Sequence, residues 1–227
     1  MTVLAVAHRA GNSLDALATA VEARADVLEL DVHAHRGRLE VRHRKALGPL
    51  PYLWDRTSYG RVPLLGDTWE LLPADPQQLL LDEVLDAAAG SGAALMLDLK
   101  GVGQVGRAVA SAVHARRPEL PVLVCSRWWP SVTPFFGVDW ARPVLSARGR
   151  AELVRLQRRL RRGPAPYGVS VHRSLLDLPT VAALRERVEV VMTWPVNDPA
   201  ALAQVLDAGV NGVITDDADV LAEVVPL

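Results

Sequence analysis

Eight short apolar runs, each followed by a segment where a helix fits, constrain this chain more than any other feature. Setting aside one hairpin's return strand, they begin near residues 3, 27, 93, 121, 143, 168, 188 and 211. Helical spacing of apolar residues fills the gaps, most clearly at 79–89, where Leu81, Val84, Leu85 and Ala88 share a face, and again at 104–116, 149–161, 199–208 and 217–224. Continuously apolar strands that alternate with amphipathic helices belong to a parallel sheet covered by helices. Eight such units in 227 residues fit a (β/α)8 TIM-type barrel, with a doubly wound open sheet as the alternative. No linker or low-complexity tract interrupts the alternation, so residues 1–227 read as one barrel domain.

The second run is unusual. Val27, Leu28, Leu30 and Val32 alternate with the carboxylates Glu29 and Asp31, which lie on one face of a strand. Leu39 to His43 forms another run after a turn at Arg36-Gly37, too close for a parallel crossover, so the pair is a hairpin rising from strand two. A three-residue Arg36-Gly37-Arg38 loop would set His35 opposite Leu39 and Asp31 opposite His43, gathering Glu29, Asp31 and His43 on one side. Residues 44–78 then lose periodicity. They hold five prolines and the aromatics Tyr52, Trp54, Tyr59 and Trp69, and read as an irregular insertion of the kind that covers a site.

Composition excludes several classes. A net charge of −1 gives no basic footprint for nucleic acid. The single cysteine, Cys125, cannot form an internal disulfide. The first residues lack the basic and apolar regions of a signal peptide, and no apolar run approaches membrane-span length. We therefore expect a cytoplasmic protein with no stable membrane anchor.

In a barrel of this kind the chemistry gathers at the C-terminal ends of the strands. His8 and Arg9 end strand one, Asp98 and Lys100 strand three, Ser126 strand four and His172 strand six. Trp194 and Asn197 end strand seven, and Thr215-Asp216 strand eight. The hairpin returns His43 to the same rim. Glu29, Asp31 and Asp98 offer hard oxygen ligands of the kind Mg²⁺ or Ca²⁺ takes, whereas Zn²⁺ more often takes histidines. Arg9 and Lys100 beside such a cation suit a phosphate. His8 and His43 have the intrinsic pKa for one to deprotonate an attacking hydroxyl and the other to protonate a leaving oxygen. Trp194 reads as a wall of the pocket or as core. His33, His35, His114 and His172 read as structural or exposed. The arginines of 149–161 read as the solvated exterior of a helix.

These residues resemble the glycerophosphodiester phosphodiesterases, which share a barrel and two-histidine logic with phosphatidylinositol-specific phospholipase C. The likeness rests on His8-Arg9, on Glu29-Leu30-Asp31-Val32, on His43 and on Asp98-Leu99-Lys100. Trp194-Pro195-Val196-Asn197 and the closing strand Gly209 to Asp216 complete it. The resemblance implies that Glu29, Asp31 and Asp98 bind one divalent cation, Mg²⁺ or Ca²⁺, and that His8 and His43 are acid and base. It further implies that Arg9, Lys100 and Trp194 meet a small glycerophosphodiester. The substrate's neighbouring hydroxyl then attacks phosphorus, giving a cyclic phosphate and finally glycerol 3-phosphate.

Three positions depart from the family pattern. Gly11 stands where Glu-Asn-Thr begins, Arg44 replaces the aspartate after the second histidine, and Asp98 replaces a glutamate. Aspartate at that third ligand recurs in sphingomyelinase D-like enzymes. The alternatives are thus a phospholipase D-like or lysophospholipid phosphodiesterase, and a non-catalytic binder of phosphate ligands.

Overall fold

A computed structural model describes residues 3–47, 50, 52–56, 69–74, 77–116 and 118–225. The chain begins with β1 (Leu4–Ala7) and α1 (Leu14–Glu22), where Ser13 caps the helix by accepting from the Ala16 N–H. The hairpin β2 (Val27–His35) and β3 (Arg38–Val41) follows, then β4 (Lys45–Ala46), β5 (Tyr52–Arg56) and β6 (Trp69–Pro73). From there strand and helix alternate. The order is α2 (Leu81–Ala88), β7 (Ala94–Lys100), α3 (Val105–Arg116), β8 (Val122–Ser126) and β9 (Ala141–Ala147). It ends with α4 (Arg150–Arg162), β10 (Gly168–His172), α5 (Leu178–Arg185), β11 (Val190–Trp194), α6 (Pro199–Asp207), β12 (Gly212–Thr215) and α7 (Ala218–Val224). The aromatic segment after β8 winds into a 3-10 helix, Trp129–Phe135.

Eight parallel strands close a barrel in the order β1, β12, β11, β10, β9, β8, β7, β2, with β2 pairing back to β1. This is the TIM-type barrel expected from the eight runs. Alternation decides what each strand residue does. On β2, Leu28, Leu30 and Val32 point outward into the helix-facing core, while Val27 joins Val6, Met96, Leu123 and Met192 inside the barrel. Glu29 and Asp31 continue the inward row above that apolar plug. The barrel interior is therefore largely apolar and its mouth is acidic.

The hairpin register differs from expectation. Val32 pairs with Val41 and His35 with Arg38, so the loop is the two-residue Arg36-Gly37 turn. Both turn residues have positive φ, 49° and 77°, which suits the right-handed twist of the flanking strands. One residue fewer in the loop moves the partner of Asp31 from His43 to Arg42, whose N–H donates to the Asp31 carbonyl. His43 reaches the mouth by another route: β3 ends at Val41, and the chain beyond it bends back over the rim.

The segment after the hairpin is also more regular than its composition suggests. β4, β5 and β6 form a small antiparallel sheet, with Lys45 opposite Trp54 and Trp54 opposite Leu71. Tyr59 lies outside the described residues. The chain rejoins the barrel beside β3, where the Val41 N–H donates to the Leu79 carbonyl at 2.8 Å.

Candidate active site

β2 and β7 run side by side in register, with Asp31 opposite Asp98 and His33 opposite Lys100. Parallel neighbours in register point the same way, so the carboxylates of Glu29, Asp31 and Asp98 converge. One oxygen from each lies within 4.8 Å of the others. Lys100 folds back between two of them, its ammonium 2.6 Å from Asp31 and also bonded to Asp98.

Two imidazoles flank this cluster from different elements. His8 follows β1, and its N–H donates to the Thr215 carbonyl, which fixes its backbone against β12. Its Nδ1 lies 2.6 Å from Asp216 and its Nε2 lies 3.9 Å from Glu29. His43 meets Asp31 through Nδ1 at 3.1 Å, while its Nε2 faces the Arg9 guanidinium at 3.1 Å. An arginine only donates, so that nitrogen accepts and the neutral ring carries its proton on Nδ1. Arg9 is in the left-handed region (φ 56°), and its N–H donates to Glu29 at 2.7 Å.

The electrostatics follow from burial and partners. Burial, followed by the Asp31 charge, pushes Glu29 up to about 7. Burial works against ionised Asp31 too, but hydrogen bonds from His43, Lys100 and Asn12 and the Lys100 charge hold its carboxyl well below the usual range. Burial opposes a charged Lys100, yet the three carboxylates outweigh it and raise its pKa. His8 is raised in the same way, burial being overcome by the Asp216 bond and the charge of Glu29. Burial and Arg42 push His33 down to about 3, so it stays neutral among the cations. Three carboxylates and one ammonium leave an excess of negative charge in a buried place. That donor set fits a divalent cation, which would lower the cost of ionising Glu29.

The site residues named from sequence fall into two groups. His8, Arg9, Glu29, Asp31, His43, Asp98 and Lys100 meet at the mouth. Trp194 stands at the end of β11, packed edge-on against His172 at 5.1 Å and over the interior plug, with no polar contact to the acids among the described residues. Cys125 is buried beneath, and burial raises its thiol far above the ordinary range.

Three contributors were given no role by sequence reading, although Asn197 and Asp216 were already placed at strand ends. Asn12 clamps Asp31 from both sides, donating to its carboxylate at 2.8 Å and accepting its backbone N–H at 2.9 Å. Asp216 pairs with His8, and Asn197 donates to Asp216 at 3.2 Å while accepting its N–H at 3.0 Å. The sequence signal was available, since all three are polar residues just beyond strand ends. The Gly11 departure has a steric cause: a Cβ there would lie 2.8 Å from the Leu30 Cβ, so no glutamate fits without movement. At Arg44 the backbone carbonyl accepts from the buried Arg42, which in turn bonds Glu40 at 2.9 Å. That brace holds the bend that carries His43.

The sequence profile of the Glycerophosphoryl diester phosphodiesterase family matches residues 190–219, which span β11 to the start of α7. No curated protein matches the chain in sequence. Among solved structures, the glycerophosphodiester phosphodiesterase of Thermotoga maritima is 19% identical with a TM-score of 0.73, covering 99% of this chain and 100% of that one. An Oleispira antarctica phosphodiesterase, solved in complex with the product sn-glycerol-3-phosphate, is 17% identical with a TM-score of 0.72, covering 97% and 96%. The glycerophosphodiester phosphodiesterase of Parabacteroides distasonis is 18% identical with a TM-score of 0.67, covering 98% and 96%. At these identities the likeness establishes the barrel. The profile match, added to it, supports the glycerophosphodiester phosphodiesterase family and indicates a phosphoric diester hydrolase.

Proposed function

We propose that this phosphoric diester hydrolase cleaves glycerophosphodiesters to an alcohol and glycerol 3-phosphate, with divalent-metal dependence and two-histidine acid–base catalysis. The observation that carries the reading is a cluster of three converging carboxylates flanked by two imidazoles in different hydrogen-bonding states. Glu29, Asp31 and Asp98 would hold Mg²⁺ or Ca²⁺. Bound there, the cation supplies charge neutralisation for the phosphate oxygens.

The two imidazoles divide the proton work. Both ring nitrogens of His8 face carboxylates, Asp216 and Glu29, an environment that favours imidazolium and hence the acid. The proton that neutral His43 carries on Nδ1 faces Asp31, which leaves Nε2 as the base. The substrate phosphate draws Arg9 away from that nitrogen. His43 then takes the proton of the hydroxyl next to the ester, its oxygen closes on phosphorus, and the ester bond to the alcohol breaks as His8 protonates the leaving oxygen. In a second step the roles reverse: His8 takes a proton from water, water opens the cyclic phosphate, and His43 returns its proton to the ring oxygen.

A diester lacking that neighbouring hydroxyl tests the route. Phosphorus NMR should show a transient cyclic phosphate from glycerophosphocholine and no turnover of the deoxy analogue. Equal turnover of both would remove the cyclic step. The lysophospholipid reading, favoured by Asp98, predicts faster cleavage of lysophosphatidylcholine than of glycerophosphocholine.

A further inference from the structure

The barrel mouth is not uniform. The loops after β11, β12 and β1 carry carboxylates: Asp198, Asp217 and Asp15 cap or open their helices, and Asp216 stands beside them. The loops after β7 to β10 carry the opposite. Val102 is 71% exposed in the loop after β7, Trp128 is 49% exposed after β8, and Leu178 is 62% exposed where α5 begins. Between them stand Arg148, Arg150 and Arg173, all exposed, with no carboxylate on their guanidinium groups among the described residues. The acids of this sector are Glu152, which is engaged by Arg127 at 2.6 Å, and Asp177, which caps α5.

The basic character continues down α4. The helix carries six arginines against the single acid Glu152. A shallow groove of about 440 Å³ runs along it, lined by Arg150, Ala151, Val154, Arg155 and Arg158. A solvated helix exterior accounts for the arginines alone. It does not account for three large apolar side chains held out on separate loops at the same end of the barrel. In a chain of net charge −1, this sector combines three exposed apolar side chains with three exposed arginines, whereas the sector after β1, which also carries the exposed Arg9 and Leu14, sets them among carboxylates.

We propose that the rim sector formed by the loops after β7, β8, β9 and β10 docks on an anionic phospholipid surface, with Val102, Trp128 and Leu178 as apolar anchors and Arg148, Arg150 and Arg173 on lipid phosphates. Guanidinium groups bind phosphate bidentately, and an indole with aliphatic tips suits the headgroup–acyl boundary, so both halves of the sector find partners at one surface. A flat polyanion such as RNA satisfies the arginines and leaves the apolar tips in water. The docking itself is independent of the catalytic reading. Its consequence rests on that reading: a mouth held against a bilayer meets phosphodiesters carried by lipids.

Cosedimentation of the whole protein with vesicles tests the surface. It should partition onto vesicles of equal parts phosphatidylcholine and phosphatidylglycerol, far less onto phosphatidylcholine alone, and less at high salt. Each arginine contributes about fivefold in partitioning, so R148Q/R150Q/R173Q should lose on the order of a hundredfold. V102S/W128S/L178S, which keeps every charge, should also lose binding. Both variants should hydrolyse soluble glycerophosphocholine at the wild-type rate, which also verifies their folding. Absence of partitioning by the wild type, or partitioning unchanged in either triple variant, overturns the proposal. So does homopolymer RNA bound as tightly as the anionic vesicles. If vesicle binding fails while glycerophosphocholine is hydrolysed, the docking surface falls and the enzymatic reading stands.

Discussion

Replacing Asn12 with alanine should loosen the site without touching any acid in it. The amide makes two bonds to Asp31, a residue 1% exposed. Removing it leaves the Asp31 N–H unpaired in a buried place and takes one donor from its carboxylate. A buried unpaired donor costs about 1–3 kcal/mol, and a bond to a charged group is worth about 1.5–3 kcal/mol. Water entering the vacated space offsets part of this, so we take about 3 kcal/mol. For a chain of this size that lowers Tm by roughly 6–12 °C, measured by calorimetry in EDTA. Apparent affinity for Mg²⁺ or Ca²⁺ should fall with it, because Asp31 loses the group that aims it. A wild-type Tm together with wild-type cation affinity would refute the clamp.

D216N should lower kcat with little change in KM, and its basic pH limb should move to lower pH, because His8 loses the partner that overcomes its burial. The linked effect on stability has a definite sign. His8 is raised and Asp216 lowered on folding, so their pairing stabilises between the carboxylate range and the folded His8 value and fades as pH rises through the latter. The Tm loss in D216N should therefore be larger near pH 6 than near pH 9, and a uniform loss would contradict the pairing. G11A should cost about 1–3 kcal/mol by overpacking against the Leu30 Cβ, read by urea titration, and an unchanged urea midpoint would contradict the steric reading. W54A should change KM among diesters more than kcat, since Trp54 lies on the small sheet that follows the hairpin carrying His43 to the site, under the Lys45 ammonium; equal effects on kcat for every substrate would count against a selectivity role.

Much of the fold was legible because period-2 strands and helical stripes report burial directly. The inward row of Glu29 and Asp31 could be read from β2 alone, and the convergence of Asp98 and Lys100 followed from their position at a strand end. The hairpin register could not be read to one residue. Arg36 tolerates the left-handed region here, and no sequence rule forces an arginine there, so a two-residue turn and a three-residue loop look alike. His43 still reached the mouth because the chain leaves the strand at Val41. The small sheet of β4, β5 and β6 was hidden by prolines, which sequence reading assigns to irregular loops. The roles of Asn12 and Asp216 were hidden for another reason: each acts on a residue about 20 or about 200 positions away, and only closure of the barrel brings them together.

The most direct test of the central claim is glycerophosphocholine turnover by the purified protein, with release of choline and glycerol 3-phosphate measured in Mg²⁺, in Ca²⁺ and in EDTA. The wild type should turn over with one or both cations and stop on chelation, and H8A and H43A should each lose at least ~10² in kcat with cation affinity largely kept. Turnover indifferent to EDTA, or an H43A enzyme of near-normal rate, would contradict the metal-and-two-histidine account.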